Sequence, residues 1–526
     1  MEILMKKTGI NGEGIGYINK KPVFVPQALQ KELCEVEVVE EKERYAIGKL
    51  VKVLQPSEHR IVPACPYAKV CGGCSLAMMD ETWQLKIKQD LLKEALWKYA
   101  KISESKVERL FRSPYRTGYR NQCKMPLKNI DGKIVSGLYQ EGSNQFIAID
   151  HCLIHDAGLE AVRKQVLEVL NKHQMKADEK RMPGIKTLVL RRIQNKTQCC
   201  LVTGRIRIPQ ACIDDLLKID TLNSLSQNIN DDRKSRELFG KIWNHLGGYE
   251  NMVIDVCGKK LKLSAASFFQ LNTFQAERMV NTVAELVEPC ETLVEAYCGV
   301  GLMSIAASEK FNKGIGIEVV KEAIINAKEN ARINRLKHLS FVCGDAAKEL
   351  KKIAQNEKID ALVVDPPRSG LDEPMLKAIM QCLPTQIVYV SCNPATLSKN
   401  LAVLTSKYDV ELIQPLDMFP QTPHVETVIL LSRKDVYERI KFDVNVEDLQ
   451  GRASSTATYS EIKAYILEKY GLKVSSLYIA QIKDKCGFEK RDNYNIGEGK
   501  SKELICPPEK EQAIMDAFRH FGMLRD

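Results

Sequence analysis

The chain has 526 residues, of which 77 are lysine or arginine and 67 are aspartate or glutamate, so its formal net charge is +10. A chain of this length is too long for one hydrophobic core and predicts several domains. Apolar residues make up 44% of the sequence and charged residues 27%, which is ordinary for a soluble globular protein. The positive balance is compatible with a polyanionic partner, although many ordinary enzymes carry as much.

The sequence argues against a membrane protein and a secreted one. No apolar run approaches the length of a membrane span, and the first seven residues lack the apolar core of a signal peptide. We therefore predict a cytoplasmic protein with no membrane partner. Disulfides are disfavoured in that compartment, so the 17 cysteines indicate metal binding, catalysis or burial.

Residues 1–56 predict a small all-β domain. Four glycines between positions 9 and 16 mark turns, and β-forming residues cluster at 22–26, 34–39 and 45–54. The size and pattern favour a five-stranded barrel. Barrels of this kind often bind nucleic acid, and the pattern alone leaves this open against a purely structural barrel.

Residues 57–264 predict a mixed α+β domain that begins with a cysteine cluster. Cys65, Cys71 and Cys74 lie close together, ahead of a helix at about 81–99. Three thiolates this close, with a remote fourth, suit a tetrahedral sulfur site for either zinc or an iron–sulfur cluster, and the spacing leaves both open. A redox Cys-x-x-Cys pair is disfavoured because no thioredoxin-like unit surrounds it.

Residues 265–433 predict a doubly wound α/β domain. Apolar strands alternate with helical stretches, a rhythm that indicates a parallel sheet. The predicted strands are 293–297, 314–317, 339–343, 361–364 and 387–390. Ligands bind such sheets in the crevice at the carboxyl ends of the strands, so side chains at those ends are the candidates for a site.

Three carboxylates follow the first three predicted strands. Glu295 precedes the glycine turn Tyr-Cys-Gly-Val-Gly, Glu318 ends the second strand and Asp345 the third. The glycines let the backbone pass close to a nucleotide, and Glu318 suits hydrogen bonds to a ribose diol. A glycine turn alone fits NAD, a nucleotide or S-adenosylmethionine equally. Cys298, inside that turn, is predicted to be a small buried side chain rather than a catalytic one.

The fourth predicted strand ends in Asp365-Pro-Pro-Arg368. Two prolines end the strand and stiffen the loop that carries the Asp365 carboxylate. In amino-group methyltransferases a related Asp-Pro-Pro motif ends in an aromatic residue that stacks on the target base. Arg368 stands at that place here, so methylation of an exocyclic amine is disfavoured. A purely structural Pro-Pro stop is the alternative.

The fifth predicted strand runs into Ser391-Cys392-Asn393-Pro394. Asn393 is a good helix N-cap and Pro394 suits the first helical turn, so we predict that the Cys392 sulfur lies beside unpaired helix N–H groups. That setting favours the thiolate, which is the nucleophilic form. Glu426, in the sequence Pro-His-Val-Glu, is predicted at the mouth of a late strand.

These groups fit one reaction on a pyrimidine. The C5 carbon of a uracil is a poor nucleophile, but a thiolate that adds to C6 creates an enolate with electron density at C5. That carbon takes a methyl group from the sulfonium of S-adenosylmethionine, a base removes the C5 proton, and the thiolate is eliminated. A base inside a folded RNA must first be turned out of its stack.

Residues 434–526 predict a small α-rich extension. Positions 451–458 favour a linker, and helices at 459–470 and 475–485 with a break at Gly471 give a helix-turn-helix pattern. A packed pair of helices is favoured over a DNA-type helix-turn-helix that reads bases.

Together these motifs closely resemble the bacterial RNA 5-methyluridine methyltransferases of the TrmA/RumA family, specifically the branch that acts on 23S rRNA. The resemblance covers residues 1 to about 433. It is carried by Cys-x5-Cys-x2-Cys, Ser267-Phe-Phe-Gln-Leu-Asn-Thr273, Tyr-Cys-Gly-Val-Gly, Asp-Pro-Pro-Arg, Ser-Cys-Asn-Pro and Pro-His-x-Glu.

The resemblance implies a multidomain α/β fold. Its expected parts are a TRAM-like β-barrel of the OB type, a mixed α+β domain with an iron–sulfur site, and a Rossmann-like methyltransferase domain that uses S-adenosylmethionine. The α-rich extension is outside the family core.

The resemblance also implies roles for ten residues. Cys392 is the expected nucleophile and Glu426 the expected base at C5. The residues expected to bind S-adenosylmethionine are Gln270, Tyr297, Glu318 and Asp365. The residues expected to hold a [4Fe–4S] cluster are Cys65, Cys71, Cys74 and Cys152, which favours iron–sulfur over zinc. The cluster is expected to be structural or to position RNA, because methyl transfer needs no electron.

The expected partner is 23S rRNA, bound by a monomer, with no DNA partner. The short tRNA enzymes generally lack both the barrel and the cysteine cluster, which favours rRNA over the alternative of a tRNA uracil-5-methyltransferase. A non-catalytic RNA-binding or chaperone protein on a retained methyltransferase fold is disfavoured, because both Cys392 and Glu426 are present.

Overall fold

The computed structural model describes residues 1–140, 143–179, 182–232, 237–434, 457, 459–486, 506–521 and 523–524. Internal contacts divide the chain into two units, Met1–Arg433 and Lys434–Asp526. The finer division at residues 56 and 264 remains a prediction. The predicted linker at 451–458 lies, apart from Ala457, outside the described residues.

The N-terminal sheet has six strands, so the prediction of five was wrong. The strands are β1 Glu2–Leu4, β2 Lys7–Thr8, β3 Gly14–Ile18, β4 Lys21–Val25, β5 Leu33–Glu41 and β6 Ala46–Gln55, in the order β1-β5-β6-β4-β3-β2. The additional strand β2 pairs with β3 and is only two residues long, and a strand that short shows no alternating pattern in the sequence. The apolar residues of alternating strands, such as Val23, Val25 and Val36, form the core of this sheet.

A second sheet, with seven strands and accompanying helices, follows the N-terminal sheet. After α1 Glu81–Ala100, the elements are β7 Gln122–Ile130, β8 Lys133–Tyr139, β9 Phe146–Ala148, α2 Ala157–Lys172, β10 Ile185–Ile193, β11 Lys196–Thr203, α3 Gln210–Leu217, β12 Leu222–Ile229 and β13 Ile242–Gly248. Their order in the sheet is β13-β12-β11-β10-β7-β8-β9. A separate hairpin joins β14 Met252–Val256 to β15 Lys259–Leu263.

The third sheet has the predicted doubly wound form. Its elements are α4 Thr273–Leu286, β16 Cys290–Ala296, α5 Leu302–Ala306, β17 Phe311–Glu318, α6 Lys321–Ile333, β18 Leu339–Cys343, α7 Ala346–Asn356, β19 Ala361–Val364, α8 Glu373–Cys382, β20 Gln386–Ser391, α9 Pro394–Leu404, β21 Tyr408–Leu416 and β22 Glu426–Arg433. The order is β18-β17-β16-β19-β20-β22-β21, in which the first five strands are parallel and β22 runs antiparallel to both neighbours.

The parallel strands form because they are continuous apolar runs, as expected where helices cover both faces. All four residues of β19 and all six of β20 are buried. Helix α1 also contributes to this core, through Leu92 and Leu96. The third sheet is therefore braced by a helix from the region of the cysteine cluster.

The unit Lys434–Asp526 contains three described helices, α10 Tyr459–Tyr470, α11 Ser476–Lys485 and α12 Pro508–His520. The first two are the predicted pair, and Gly471 takes the positive φ of 64° that ends α10. The third was not predicted. Ile466, Ile479 and Ile514 belong to the core that the three helices share. Among the helices that the structure describes, none is long and apolar enough to cross a membrane.

Candidate functional site

The turn after β16 is shaped for close approach of a ligand to the backbone. Gly301 has a φ of 81°, and a Cβ built there would stand 2.7 Å from the ring of Phe341, so only glycine fits. Glu295, at the end of β16, is buried and accepts a hydrogen bond of 2.9 Å from the backbone N–H of Ser304. Burial raises the pKa of Glu295 to about 7. Glu295 therefore holds the turn against α5 rather than facing a ligand freely.

Glu318 and Asp345 lie at the neighbouring strand ends. The Glu318 carboxylate accepts hydrogen bonds from the backbone N–H groups of Gly299 at 3.1 Å and Val320 at 2.9 Å, which fix it beside the glycine turn. Each of its oxygens keeps a lone pair for a ligand. Asp345 instead caps α7, because its side chain accepts from Lys348 N–H at 3.0 Å.

Gln270 and Tyr297, two further expected cofactor residues, are both partly buried. Tyr297 lies in the glycine turn with a φ of 63°, a strained position for a tyrosine. The backbone of Gln270 is held by Asn121, whose side chain donates to its carbonyl at 2.9 Å. Two positions before it, Phe268 is 71% exposed. The backbone at Gln270 is thus fixed beside an exposed aromatic side chain.

Cys392 lies at the predicted junction between β20 and α9. Asn393 is the N-cap, and its side chain accepts from the N–H groups of Ala395 and Thr396 at 3.0 and 3.5 Å. The Asn393 amide and the Thr396 hydroxyl both donate to the carbonyl of Arg368, at 3.1 and 3.2 Å. The Asp-Pro-Pro-Arg loop is therefore tied to the junction that carries the thiol.

Cys392, Glu426 and Asp365 come together in one crevice. In the antiparallel pair of β20 and β22, Ser391 is opposite Thr427, so Cys392 and Glu426, the next positions along, face each other. Burial raises the pKa of Glu426 to about 8, with Asp365 acting in the same direction. Burial alone raises the pKa of Asp365 to about 7. Both carboxyls can therefore exchange protons near neutral pH.

The prediction that this junction favours the thiolate was wrong. Burial raises the pKa of Cys392 to about 11, and the nearby Glu426 and Asp365 carboxylates raise it further than Arg368 lowers it. The helix N–H groups that were expected to stabilise the sulfur are partly used by the Asn393 side chain. These surroundings favour the thiol, so Cys392 has to lose its proton before it can act as a nucleophile.

Cys65, Cys71, Cys74 and Cys152 line one cavity of about 360 Å³. All four are free thiols. Burial, followed by the neighbouring thiols of Cys152, Cys71 and Cys65, raises the pKa of Cys74 to about 12. The Tyr67 hydroxyl accepts from Asp150 N–H at 3.1 Å and so joins the cysteine segment to the strand end before Cys152.

Three cationic side chains, Arg116, Arg120 and Lys124, line the same cavity. They would balance the negative charge of bound thiolates. In the part of the chain that the structure describes, no group of three or more His, Cys, Asp or Glu side chains is arranged to hold a metal ion. The four thiols therefore share a cavity without a formed coordination site.

Two contacts near the crevice were not predicted from the sequence. Arg368 Nη2 lies 3.3 Å from His424 Nδ1, at the mouth of the crevice. Lys88 is fully buried and forms an ion pair with Asp417. Its only sequence signal was a charged residue on the buried face of α1, and nothing in the sequence indicated its partner.

The doubly wound sheet and its glycine turn form the type of crevice that binds a nucleotide-like cofactor, and the comparisons with known proteins identify the fold as that of an S-adenosylmethionine-dependent methyltransferase. The family described as tRNA (Uracil-5-)-methyltransferase matches residues 80–434, and the TRAM domain family matches residues 1–51. The chain therefore belongs to the TRAM-containing RNA uracil-5-methyltransferases of the TrmA/RumA type, which confirms the resemblance to this family. The branch that acts on 23S rRNA remains a prediction.

Similar proteins agree with this assignment. A protein of Listeria monocytogenes described as an uncharacterized RNA methyltransferase is 36% identical over 449 residues, covering 82% of this chain and 97% of the relative. A Bacillus anthracis protein with the same description is 34% identical over 443 residues, covering 82% and 96%. The structure of Pyrococcus abyssi tRNA (uracil-54, C5)-methyltransferase with S-adenosyl-L-homocysteine is 25% identical, with a TM-score of 0.65, and covers 82% of this chain and all of its own.

Proposed function

We propose that this protein methylates C5 of a specific uridine in 23S rRNA. The observation that carries the proposal is the meeting of a single thiol, Cys392, and a buried carboxyl, Glu426, on facing strands of the crevice. A nucleophile and a base on either side of one pyrimidine are what C5 methylation requires.

In the proposed reaction, the Cys392 thiolate forms a bond to C6 of the uracil and the electron pair of the C5–C6 double bond moves into the enolate. Bound S-adenosylmethionine supplies the methyl group that C5 takes up. Glu426 then removes the C5 proton, the double bond re-forms, and the C6–sulfur bond breaks. The thiolate leaves unchanged, and the products are 5-methyluridine, S-adenosylhomocysteine and one proton.

The pKa values of the crevice fit the two roles. Glu426, with a pKa of about 8, is a stronger base than an exposed glutamate, which suits removal of a carbon-bound proton. Cys392 must lose its proton before it can attack, and Asp365, whose charge acts on this thiol, is the proposed acceptor, which leaves Glu426 ionised for the C5 proton. Gln270, Tyr297 and Glu318 are proposed to hold the cofactor at the glycine turn.

We further infer that Cys65, Cys71, Cys74 and Cys152 bind a [4Fe–4S] cluster. The four thiols surround one cavity, and cationic side chains line it. Four cysteines match the number of ligands that a [4Fe–4S] cluster takes, and the choice of this cluster over a zinc ion rests on the resemblance of the cysteine motif to that of the family. The cluster would be structural or would position RNA, and no step of the methyl transfer passes through it.

The choice of 23S rRNA rests on the barrel and the cysteine segment, which the short tRNA enzymes generally lack. A tRNA uridine is the second candidate. It is favoured by the Pyrococcus abyssi enzyme, a tRNA methyltransferase whose match covers 82% of this chain, more than the catalytic region alone. Length therefore does not separate the two substrates. Either RNA would be bound by a monomer in the cytoplasm, without DNA.

The experiment that separates the candidates is mapping of 5-methyluridine in RNA from a strain that lacks the gene. We expect one or two 23S rRNA uridines to lose the methyl group while tRNA keeps its own. Purified protein should restore the modification on the rRNA with labelled S-adenosylmethionine. Loss confined to tRNA would establish the second candidate, and unchanged modification in both would contradict the proposal.

A further inference from the structure

The loop between β21 and β22, residues 417–425, delivers Glu426 to the crevice and is here named the base loop. Five consecutive carbonyls of this loop, those of residues 417–421, each accept a hydrogen bond from another part of the chain. The donors are Gln275 Nε2 at 3.0 Å, Asn272 Nδ2 at 3.1 Å, Lys88 Nζ at 2.9 Å, Tyr119 OH at 3.0 Å and the Leu76 N–H at 2.9 Å. Surface loops rarely have so much of their backbone bound by side chains.

Lys88, on α1, makes the strongest of these contacts. Its side chain is completely buried, and its ammonium donates both to the Asp417 carboxylate and to the Phe419 carbonyl. A buried ion pair adds little net stability compared with apolar packing, because two charges must be desolvated. The ion pair instead fixes the loop geometry, because the buried Lys88 ammonium has hydrogen-bond partners only when the base loop has this conformation.

Gln84, one helical turn before Lys88, fixes the other half of the loop. Its side-chain amide donates to Gln421 Oε1 at 3.0 Å and to the Leu76 carbonyl at 2.9 Å, and its Oε1 accepts from Gln421 N–H at 3.1 Å. Gln421 has a φ of 69°, which is costly for a residue other than glycine and persists only where the surroundings enforce it. Gln84 is the side chain that binds Gln421 at both its backbone and its side chain.

Glu426 depends on this frame. It is 3% exposed, and among the residues that the structure describes its carboxyl makes no hydrogen bond. Its position is therefore set by its backbone. Leu416, the partner of Glu426 in the strand pair, directly precedes Asp417, so the Lys88 contact lies one residue from the base of the loop.

We propose that Lys88 and Gln84 are positioning residues of the methyltransferase reaction, which hold the base loop so that Glu426 faces Cys392. The proposal rests on Glu426 being the base at C5. If the loop relaxes, proton removal and elimination slow, while addition of Cys392 to C6 does not, because Cys392 is held by β20 and the Asn393 cap. A displacement of about 1 Å can cost roughly 100-fold in rate.

The test is the variant Lys88→Met, with Lys86→Met as its control. Lys86 is on the same helix, its side chain is 54% exposed, and its described partners are the nearby Asp90 and the ring of Trp83, neither of them in the base loop. We expect turnover of Lys88→Met to fall roughly 10- to 100-fold. The fraction of enzyme trapped on ordinary uridine RNA as an adduct that carries the labelled methyl group should rise. Formation of the adduct on 5-fluorouridine RNA, a step before the base acts, should stay within about 3-fold of wild type, as in Lys86→Met.

Two outcomes would overturn the proposal. One is unchanged turnover in a folded Lys88→Met protein. The other is a parallel fall of turnover and adduct formation, which would mean general damage. If Lys88→Met does not fold, the same three measurements on Gln84→Leu test the positioning role, because this variant leaves no buried charge without its partner. Glu426→Gln distinguishes failure of the positioning proposal from failure of the proposed base. If Glu426→Gln also does not accumulate the methylated adduct, Glu426 is not the base at C5. If Glu426→Gln accumulates the adduct and the α1 variants do not, only the positioning role is refuted.

Discussion

The crevice around Cys392 and the cavity around Cys74 both contain a partly buried cysteine thiol, but the side chains near the two thiols differ. In both places burial is the first cause of a raised thiol pKa, to about 11 for Cys392 and about 12 for Cys74. Each thiol has an arginine nearby, but the other neighbours of Cys392 are two carboxyls, whereas those of Cys74 are three more thiols. Burial therefore says little about what a cysteine does, and the groups that share its cavity say more.

The difference implies two ways to form a thiolate. Four thiols around one cavity would lose their protons on binding the proposed cluster, because coordination deprotonates a thiol outright. A single thiol beside carboxyls near their own pKa can pass its proton to one of them. Gln421 touches both regions, because it lines the cysteine cavity and belongs to the base loop.

Removal of the Cys392 thiol should have the largest effect. We expect Cys392→Ala to lower turnover at least about 1,000-fold, because no other group can form the bond to C6. Methyl incorporation into RNA measures this. Cys382→Ala, which changes a partly buried thiol at the end of α8, is the matched control and should stay within a few-fold of wild type. Comparable loss in both variants would contradict a special role for Cys392.

Glu426→Gln should be next in size. General base catalysis contributes about 100- to 10,000-fold, so turnover should fall in that range. Methyl transfer itself should still occur once, which leaves methylated RNA bound to Cys392. Gel electrophoresis under denaturing conditions with the labelled methyl group detects this adduct. Normal turnover, or loss of the adduct together with turnover, would remove Glu426 as the base.

In the other region, Cys74→Ser should remove the metal. Loss of one ligand of four is expected to lower the iron content of anaerobically purified protein from about four atoms per chain to well under one. Cys212→Ser, a buried cysteine of α3, should keep the wild-type iron and sulfide. Stoichiometric zinc without sulfide in the wild type would overturn the cluster and make the cavity a zinc site.

The pH dependence of turnover should report the ionisation of Glu426, the carboxyl beside Cys392. Glu426 acts as a base only when ionised, and its raised pKa of about 8 means that the ionised fraction falls about tenfold for each pH unit below that value. Turnover should therefore rise about tenfold from pH 6 to 7 and level off above pH 8. Glu426→Gln should lack this rise in its adduct-release step. A wild-type profile flat between pH 6 and 8 would contradict the role of this carboxyl.

The smallest expected effect is on thiol reactivity. Glu426→Gln removes a negative charge that raises the Cys392 pKa, so alkylation by iodoacetamide at pH 8 should become a few-fold faster. Arg368→Met removes the charge that lowers this pKa and should make alkylation a few-fold slower. Peptide mass spectrometry follows the modification of Cys392. Equal rates in all three proteins would mean that neighbouring charges do not control this sulfur.

Much of the fold could be predicted because its strands are local apolar runs. The predicted bounds of β18 and β19 match the structure, and the strand–helix junction at Cys392 was visible from Asn393 and Pro394. The thiol pKa was not predictable, because it depends first on burial and then on Glu426 and Asp365, and these arise only in the folded sheet. The contact of Lys88 with Asp417 joins residues 329 positions apart, and no local pattern encodes it.

The most direct test of the central claim is RNA in which the target uridine is 5-fluorouridine. Fluorine at C5 cannot be removed as a proton, so the reaction stops after methyl transfer with Cys392 still bonded to C6. Wild-type enzyme with S-adenosylmethionine should form a denaturation-resistant adduct, and peptide mapping should place it on Cys392. No adduct with enzyme that methylates ordinary uridine RNA, or an adduct that persists in Cys392→Ala, would contradict the account.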